Sequence, residues 1–542
     1  MIVAYGCWLR VAFATHAPLW NDEVQTSFFV SGHSVADAAT ISELGPHITG
    51  SLLQRRFLVP SPTRSIADDV HSFVANDPPA PPLYYLLVRL AAELWPDPVT
   101  PARAVSVLFS LLFLPSFFWL VRELFHSKWA PWIGVCLAAV SPQRLLSAYE
   151  SRCYSMWALA ICLATAALVH AIRSPHRRWW VLYALTLTLM LHSHPLSLGV
   201  LAAHGVVMLV TAVKARSFRL VLPFAAAATV GVLLMTPWLW AVYQHRMYSA
   251  FSTHWLSKPV HLIQIFHCWA FEVGAHVFIT DSSWWAFGVG QLISLLVPAL
   301  VFLTAALLWR RGERFAFLVI VPLLVAIPSL LGLQDLLLGG GRIAVARYEQ
   351  PTMVASLLCL TWLFDRLPVW LTTRKQATPS SVEPGSRSEW PRRLVVFAGH
   401  AALFVLLGVG ALDCYRVAHN PARFKHQPRF DAAVAALEGV PQPLLVFPAP
   451  GVTPLLLSLP FPDAEFMVMT SIDDLQRTAA APNVFVVGKL NAFEPFAKKL
   501  GPLLDSITAA GYVLEPVGAG ELWRIQSHRE RKTNQRDLRA QD

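Results

Sequence analysis

Long apolar runs recur along this chain, and they constrain its fold more than any other feature. A shorter apolar segment at the N-terminus is followed by runs of about 15 to 22 residues, the length that spans the hydrocarbon core of a bilayer. These runs cover 104–121, 129–142, 153–172, 179–194, 196–213, 220–241, 286–309, 315–333, 350–371 and 394–412. The sequence therefore predicts a mainly α, polytopic membrane protein of about 11 transmembrane helices.

Composition agrees with this class and excludes others. The chain has 542 residues, of which 55% are hydrophobic and only 14% charged, unlike a water-soluble globular protein. Its net charge of +10 comes from short basic clusters between apolar runs, so we interpret them as topology signals rather than a nucleic-acid surface. The cysteines lie in or beside apolar segments, which gives neither a disulfide framework nor a zinc-finger spacing.

The basic clusters predict the orientation, because Lys and Arg prefer the cytoplasmic side of a membrane. They occupy every second loop: Arg122 and Lys128; Arg173, Arg177 and Arg178; Lys214, Arg216 and Arg219; Arg310, Arg311 and Arg314; then Arg374, Lys375, Arg387, Arg392 and Arg393. The loop 18–103, the loop 242–285 and everything after 413 then face the extracytoplasmic side.

The N-terminal segment is short for a membrane span. Only nine residues precede Arg10, whereas a span needs about 20. A signal peptide would need a positive start, an uninterrupted apolar core and a small-residue cleavage site, and none of these is clear. We expect the native chain to begin upstream of Met1, inside the same first helix.

Three domains are predicted. A transmembrane module covers 1–415, and its first outer loop, 18–103, is expected to form an ordered cap. In that loop we predict a short helix at 24–31, then an irregular polar stretch, then an apolar piece at 78–95 lying along the membrane surface. An extracytoplasmic α/β domain is predicted at 416–526, with strands at 443–447, 465–469, 483–487 and 512–517. A disordered polar tail is predicted at 527–542.

Two adjacent carboxylates, Asp22 and Glu23, follow the first apolar segment directly. One interpretation is helix capping, with Asn21 or Asp22 as the cap of a helix that begins near Val24 and with acids suiting the dipole of its first turn. The other is a general base at the outer membrane surface, because a partly desolvated carboxylate can be tuned for proton abstraction. Spacing alone leaves both interpretations open.

The segment SPQRLLSAYESRCYS at 141–155 places Arg144, Glu150, Arg152 and Tyr154 at the outer ends of two adjacent spans. Ionisable side chains at that depth are costly unless they are paired or functional. One reading is a structural ion pair of Glu150 with Arg152 or Arg144. The other is an arginine that grips a phosphate, a task suited to its fork of donors.

The segment GGGRIAVARYEQP at 339–351 brings Arg342 and Arg347 to the outer end of a later span. Its glycines leave the backbone free to bend and to approach a ligand. Juxtamembrane anchoring is the alternative, since Arg and Tyr both favour membrane interfaces. Lys258 and Arg246, in the preceding outer loop, are further candidate contacts for an anion.

Histidines occur in two groups that invite a metal interpretation. His192 and His194 in LHSHP are two residues apart, so on a helix they would not share a face. His267, Glu272 and His276 can approach one another, but their spacing matches no zinc signature. Interface or hydrogen-bonding histidines are therefore favoured over a metal site.

Five motifs, taken in order, resemble those of membrane glycosyltransferases that use polyprenyl-phosphate sugars. They are LWNDE, PPAPPLYYLL, SAYESRCYSMWAL, LHSHPLSLG and RYEQP. The likeness is to the GT-C superfamily, nearest its protein O-mannosyltransferase and aminoarabinose transferase branch, and it extends from residue 4 to about residue 372. The small outer α/β domain also suits some bacterial members.

The resemblance implies an inverting transfer of a sugar from a polyprenyl-phosphate donor to an acceptor hydroxyl at the outer face. Asp22 matches the position of the catalytic base, with Glu23 orienting or tuning it. Arg152 and Arg347 are the residues chosen to stabilise the leaving phosphate, because negative charge builds there as the bond breaks. Lys258 is a third candidate contact for the phosphate.

The remaining expectations complete this prediction. Supporting roles are assigned to Glu150, Tyr154, Arg342, Tyr348 and His194. No cofactor is required, and a divalent metal is dispensable because a lipid monophosphate is a good leaving group. The partners expected are the donor, membrane lipid and a glycan, lipid or protein acceptor, but no nucleic acid. The location expected is the bacterial inner membrane.

Two other classes of protein remain as alternatives. A transporter or channel would line a path with the same charges, but transporters often show repeated halves and broken helices at mid-membrane. Here the charges gather at one surface, together with the large outer loop and the outer domain. A catalytically inactive membrane scaffold would be favoured by loss of the acidic pair, and that pair is present.

Overall fold

The computed structural model describes most of the chain, which divides into two compact units. The described residues are 1–45, 48–279, 284–373, 390–421, 428–469, 474, 483–488, 490, 496–517 and 521–526. The first unit comprises Met1–Ala17, Pro78–Tyr84 and Arg103–Phe424, and the second comprises Pro18–Asp77, Tyr85–Ala102 and Lys425–Asp542. The tail predicted at 527–542 lies outside the described residues.

Helices dominate both units. In chain order they are α1 Ile2–Ala12, α2 Asn21–Val30, α3 Val35–Ala39, α4 Gly50–Phe57, α5 Ile66–Asn76, α6 Leu83–Leu94, α7 Thr100–Leu124, α8 Ala130–Ala139, α9 Pro142–Ala148, α10 Tyr154–Arg173, α11 Arg177–Leu191, α12 Ser197–Ala215, α13 Val221–Gln244, α14 Arg246–Ser252, α15 Leu262–Gly274, α16 Trp284–Arg310, α17 Arg314–Leu338, α18 Gln350–Thr373, α19 Trp390–His419, α20 Pro428–Leu437, α21 Val452–Ser458 and α22 Phe496–Ala509.

The apolar runs of the sequence all coincide with helices of the first unit. They form α1, α7, α8, α10 to α13 and α16 to α19. Among the residues that the structure describes, seven helices are long and apolar enough to cross a membrane: α7, α10, α12, α13, α17 and the apolar parts of α16 and α19. The prediction of a polytopic, mainly helical membrane protein is confirmed, and seven of its eleven expected spans meet this measure.

Two helices form the centre of the first unit. The most apolar stretch of α10 is 83% buried within the protein, whereas the corresponding stretches of α13 and α19 are only 17% buried. Alanine-rich α10 can be approached closely by its neighbours, as small residues allow in membrane helices. Helix α18 packs against α8, α10, α16, α17 and α19. The N-terminal ends of α10 and α18 therefore have fixed positions in this unit.

Arg10 is a fully buried arginine in this unit, although α1 is apolar on either side of it. Its guanidinium donates hydrogen bonds to the carbonyls of Gly6, Ala138 and Ala139 and to the hydroxyl of Ser110, at 2.7 to 3.2 Å. The carbonyls of Ala138 and Ala139 lie at the C-terminal end of α8, where the helix dipole favours a cation. Arg10 is thus stabilised by backbone of its own unit.

A six-stranded sheet, counted over the described residues, forms the core of the second unit. Its strands are β1 Ile48–Thr49, β2 Leu444–Phe447, β3 Glu465–Val468, β4 Val484–Val487, β5 Val513–Val517 and β6 Leu522–Gln526, in the order β1-β3-β2-β4-β6-β5. Strands β3, β2 and β4 are parallel, and the remaining pairs are antiparallel. The predicted α/β fold of the C-terminal segment is confirmed, but β1 and β6 were not predicted.

The loop 18–103 folds together with the C-terminal segment. Ile48 pairs with Phe466 across β1 and β3, and the amide of Gly50 donates to the carbonyl of Ala464 at 3.0 Å. A Cβ atom on Gly50 would lie 2.4 Å from the carbonyl oxygen of Phe461, so the close approach of these backbones requires glycine. The compact unit is therefore discontinuous in sequence.

Two predictions for this loop were wrong. The stretch after Ser31 is not irregular, since it contains α3, α4 and α5. Two of these helices begin with reciprocal capping boxes, Ser34 with Asp37 and Ser65 with Asp68, which satisfy backbone donors at both N-termini. The first helix of the loop also begins earlier than expected, at Asn21. The apolar piece at 78–95 contains α6, and its location on the membrane surface stays a prediction.

Candidate active site

Five side chains from separated segments converge in the first unit: Arg152, Tyr154, His194, Arg347 and Tyr348. The His194 ring centroid lies 5.9 Å from that of Tyr154 and 5.5 Å from that of Tyr348. The guanidinium carbon of Arg347 lies 6.0 Å from the centre of the Tyr154 ring. The charges of Arg152 and Arg347 both act on Tyr154 and on His194. We call these five residues the arginine–aromatic cluster.

Helix ends bring the cluster together. Arg152 lies in the turn between α9 and α10, and Tyr154 is the first residue of α10. His194 lies in the turn between α11 and α12, whereas Arg347 and Tyr348 belong to the short 3₁₀ turn Ala346–Tyr348 before α18. The basic loop at Arg173 is at the opposite end of α10. The structure therefore gathers predicted residues from the central helices at the end away from that loop.

Two aromatic rings flank the half-buried side chain of Arg347. Its guanidinium carbon lies 5.8 Å from the centre of the Trp255 ring, in addition to the contact with Tyr154. Contacts of this kind attract the cation to the ring faces and limit the orientations of its fork. Trp255 was not among the predicted site residues, because a tryptophan beside a membrane span is common and carries no motif.

The main chain of Arg152 is held from α7 and α6. The hydroxyl of Ser106 donates to the carbonyl of Arg152 at 3.4 Å, and the hydroxyls of Ser106 and Tyr84 are 2.7 Å apart. Since the Ser106 hydroxyl has a single proton, Tyr84 is the donor between them. Both side chains are buried. The Pro-rich motif at Tyr84 therefore supports the turn that carries Arg152.

Side chains of α18 and α9 position the main chain of Arg347, in the same way as those of α7 and α6 position Arg152. The side-chain amide of Gln350 donates to the carbonyl of Arg347 at 3.3 Å, and its oxygen accepts from Arg144 at 2.5 Å. Gln350 and Arg144 are both buried. The Arg144 guanidinium also lies 5.6 Å from the centre of the Phe113 ring. The Arg144 guanidinium therefore helps to position Gln350. The neighbouring Glu150 is half-buried and lies in the turn that carries Arg152.

Lys258, the third predicted phosphate contact, and Arg342, a predicted supporting residue, lie beside the glycine loop. Arg342 forms an ion pair with Asp335 at 2.9 Å and donates to the carbonyl of Gly339, so its charge is already compensated. Lys258 is exposed and ends the 3₁₀ turn His254–Ser257. A Cβ atom on Gly341 would lie 2.2 Å from the side chain of Val260, so glycine allows the two segments to touch.

Glu349 is a buried acid that the sequence analysis did not single out, although RYEQP contains it. Its exposure is 2%, and it immediately precedes α18. Burial raises the pKa of its carboxyl to about 7, against the lowering effect of a 2.6 Å hydrogen bond with Thr352. The Thr352 hydroxyl also lies 3.2 Å from the carbonyl of Leu324. If Glu349 is protonated, its carboxyl donates to the Thr352 hydroxyl, which in turn donates to the Leu324 carbonyl.

The histidine groups do not form a metal centre among the described residues, where no cluster of three or more His, Cys, Asp or Glu has suitable geometry. The two ring nitrogens of His192 lie 2.9 and 3.3 Å from the carbonyl oxygens of Thr188 and Leu234. The buried ring of His276 bonds the hydroxyl of Ser141 at 3.2 Å. His267 is exposed.

The acidic pair lies in the second unit, in the first turn of α2. Helix α2 begins at Asn21 and its cap position is occupied by Trp20, so the prediction that Asn21 or Asp22 is the cap was wrong. Asp22 is half-buried and Glu23 is fully buried. The positive end of the helix dipole favours ionised acids here. Asp22 is thus the more approachable acid of the two.

A buried ion pair fixes the other end of α2. Arg89 on α6 donates to both carboxylate oxygens of Asp69 on α5, at 2.8 and 2.9 Å. It also donates to the carbonyl of Val30, the last residue of α2, at 3.2 Å. Asp69 and Arg89 are 1% and 4% exposed, so this pair locks α2 against α5 and α6 inside the unit.

Comparison with known proteins gives one family match. Residues 79–240 match the family model described as dolichyl-phosphate-mannose-protein mannosyltransferase. The matched segment contains Tyr84, Arg152, Tyr154 and His194 but not Arg347. No curated protein matches the chain.

Solved structures give a match over nearly the whole chain. ArnT from Cupriavidus metallidurans bound to undecaprenyl phosphate has a TM-score of 0.51 at 12% identity, covering 97% of each chain. The same ArnT in the apo state gives 0.48 at 12% identity, covering 90% of this chain and 96% of that one. An Archaeoglobus fulgidus oligosaccharyltransferase in the apo form gives 0.42 at 12% identity, covering 90% and 69%. The chain shares the ArnT fold, and the resemblance to the GT-C superfamily is confirmed.

Proposed function

We propose that this integral membrane protein is an inverting glycosyltransferase that takes its sugar from a polyprenyl-phosphate donor. The arginine–aromatic cluster is the observation that carries the proposal, since two arginines and three aromatic rings meet at one end of the central helices. Guanidinium groups suit a phosphate, and rings suit a sugar or the start of an isoprenoid. ArnT, which shares the fold, binds undecaprenyl phosphate.

In this proposal the cluster binds the phosphate of the donor. As the bond from the anomeric carbon to the phosphate oxygen breaks, the leaving phosphate gains negative charge. Arg152 and Arg347 stabilise that charge more strongly in the transition state than in the bound donor. Because the arginines meet the charge of the leaving group, the proposal includes no metal, and chelator treatment is expected to leave transfer unchanged.

Asp22 acts as the base in the proposed reaction. It removes the proton from the acceptor hydroxyl, which attacks the anomeric carbon opposite the phosphate and inverts its configuration. The half-buried Asp22 can reach a substrate, while the fully buried Glu23 tunes it. The acceptor is a glycan, lipid or protein, and the reaction takes place at the extracytoplasmic face of the inner membrane.

Sugar transfer in reconstituted vesicles tests the proposal. The intact chain and its Asp22→Asn variant are given a panel of radiolabelled polyprenyl-phosphate sugars, with endogenous acceptors supplied as membrane extract. The expected result is transfer from one donor by the intact chain and a loss of about 10²- to 10⁴-fold in the variant. NMR of the product is expected to show an inverted anomeric centre.

Asp463→Asn is the matched control, because Asp463 is an exposed acid in the same unit. It is expected to transfer sugar at the wild-type rate. Equal activity of Asp22→Asn and wild type would remove Asp22 from the mechanism. Absence of transfer from every donor would refute the proposed function.

A further inference from the structure

His194 lies in the arginine–aromatic cluster, but the proposed reaction gives chemical roles only to Asp22, Arg152 and Arg347. Its ring is 7% exposed and stacks on Trp157 with centroids 4.2 Å apart and planes 17° from parallel. It lies in the turn between α11 and α12, and both cluster arginines act on it. The ring is therefore held rigidly beside the proposed phosphate site.

One backbone hydrogen bond assigns the tautomer of His194. The amide of Leu196 donates to Nδ1 at 3.2 Å, so Nδ1 is an acceptor and carries no proton. In a neutral imidazole the proton then lies on Nε2, on the other side of the ring. In the part of the chain that the structure describes, the hydrogen bond of His194 is made at Nδ1, which leaves Nε2–H to donate to a ligand.

The surrounding charges keep this imidazole neutral. A second proton would place a cation beside Arg152 and Arg347 in a buried position, and both burial and like charge oppose that. A neutral imidazole with Nδ1 occupied offers its Nε2–H as a donor of fixed direction. That donor does not depend on pH near neutrality.

Building on the proposed function, we propose that His194 is a catalytic residue whose Nε2–H donates a hydrogen bond to the leaving phosphate. When the glycosidic bond breaks, its electron pair goes to the phosphate oxygen, and the acceptor proton goes to Asp22. His194 keeps its own proton throughout. The hydrogen bond strengthens as the phosphate gains charge, so it lowers the barrier more than it tightens donor binding.

Three substitutions of His194 test this role. They distinguish the contribution of Nε2 from that of Nδ1, and both from the packing of the ring. In His194→Gln the amide nitrogen can occupy the place of Nε2, whereas in His194→Asn it occupies the place of Nδ1. His194→Phe keeps an aromatic ring against Trp157 but has no donor. We expect kcat to remain within about threefold of wild type in the Gln variant and to fall about 10²-fold in the Asn and Phe variants.

The measurements are kcat and KM for the donor, together with equilibrium binding of undecaprenyl phosphate and thermal unfolding of the purified variants. KM, binding and unfolding temperature of His194→Phe are expected to stay close to wild type. An equal fall in kcat for Gln and Asn, or a wild-type kcat for Phe, would overturn the role of Nε2. An inactive wild-type protein would instead refute the proposed function, and this role with it.

Discussion

Two regions of the first unit place an arginine near a helix end, and they use it in opposite ways. In one region, Arg10 is fully buried and its guanidinium donates to three carbonyls and a hydroxyl of the same unit. In the other, Arg347 is half-buried, with its guanidinium beside the rings of Tyr154 and Trp255. The first arginine is surrounded by acceptors, and the second is flanked by ring faces.

We infer that the neighbours of an arginine, rather than its depth, separate a structural charge from the ligand-binding role proposed for Arg347. Carbonyls around Arg10 compensate a charge that never leaves the fold, so removing it harms folding. Ring faces limit the orientations of the Arg347 fork, which suits an anion that arrives and departs. Four predictions test this contrast, ordered by their expected effect on sugar transfer.

Arg347→Ala is expected to have the largest effect. It should lower kcat/KM by about 10²- to 10³-fold, because a donor to the developing phosphate charge is lost. Arg347→Lys keeps the charge without the fork, so a smaller loss of about tenfold is expected. Steady-state transfer assays measure both values. The exposed Arg178, whose guanidinium contacts Trp179, provides the control Arg178→Ala, which is expected to keep wild-type activity. Equal losses in Arg347→Ala and this control would contradict the assignment.

Gln350→Glu is expected to lower kcat/KM by about tenfold, because small displacements of a positioned group are costly. A glutamate can still accept from Arg144 but has no amide to donate to the Arg347 carbonyl. The substitution therefore isolates the bond that positions Arg347. Transfer kinetics and binding of undecaprenyl phosphate are the measurements. Wild-type kinetics in this variant would show that the hold on the carbonyl is dispensable.

The sequence predicted the helical framework and the charged members of the site for the same reason. Long apolar runs can only be helices in a bilayer, and an ionisable residue within or beside such a run is conspicuous. Arg152, Arg347 and Tyr154 were identified in this way. Trp255, Ser106 and Gln350 were missed because neutral or aromatic residues near spans give no comparable signal.

The second unit was less predictable, since its sheet combines segments that are distant in sequence. Ile48 in the loop 18–103 pairs with Phe466, and nothing local in IT or EFMV indicates that pairing. The helices of the loop were within reach of prediction. Each of two begins with Ser and has Asp three residues later, at Ser34 and Ser65, which is the signature of a capping box.

Arg10→Met is expected to impair folding rather than chemistry. The substitution leaves the carbonyls of Ala138 and Ala139 without their donor, which costs about 1 to 3 kcal/mol of stability for each buried group left unpaired. The unfolding temperature in detergent should fall, while transfer per folded molecule should stay within about twofold of wild type. Normal stability together with lost activity would reverse the roles assigned to Arg10 and Arg347.

Glu349→Gln is expected to have the smallest effect on transfer, and it tests the contrast with a carboxyl group. At pH 6 the buried carboxyl of Glu349 is largely protonated, because its pKa is raised to about 7, so the neutral amide should leave activity unchanged.

The same substitution is expected to change how stability depends on pH. In an unfolded chain the pKa of a glutamate is about 4.3. The folded protein therefore holds this proton more tightly than the unfolded chain does. The resulting stabilisation is fully present below about pH 4.3 and is lost as the pH rises to about 7. In Glu349→Gln that loss should disappear, so unfolding temperatures measured from pH 4.5 to 8 should follow a flatter curve and exceed those of wild type at the upper end. A curve parallel to that of wild type would mean that Glu349 is ionised in the folded protein, as a carboxylate paired with Arg347 would be, and the contrast drawn between Arg10 and Arg347 would then fail.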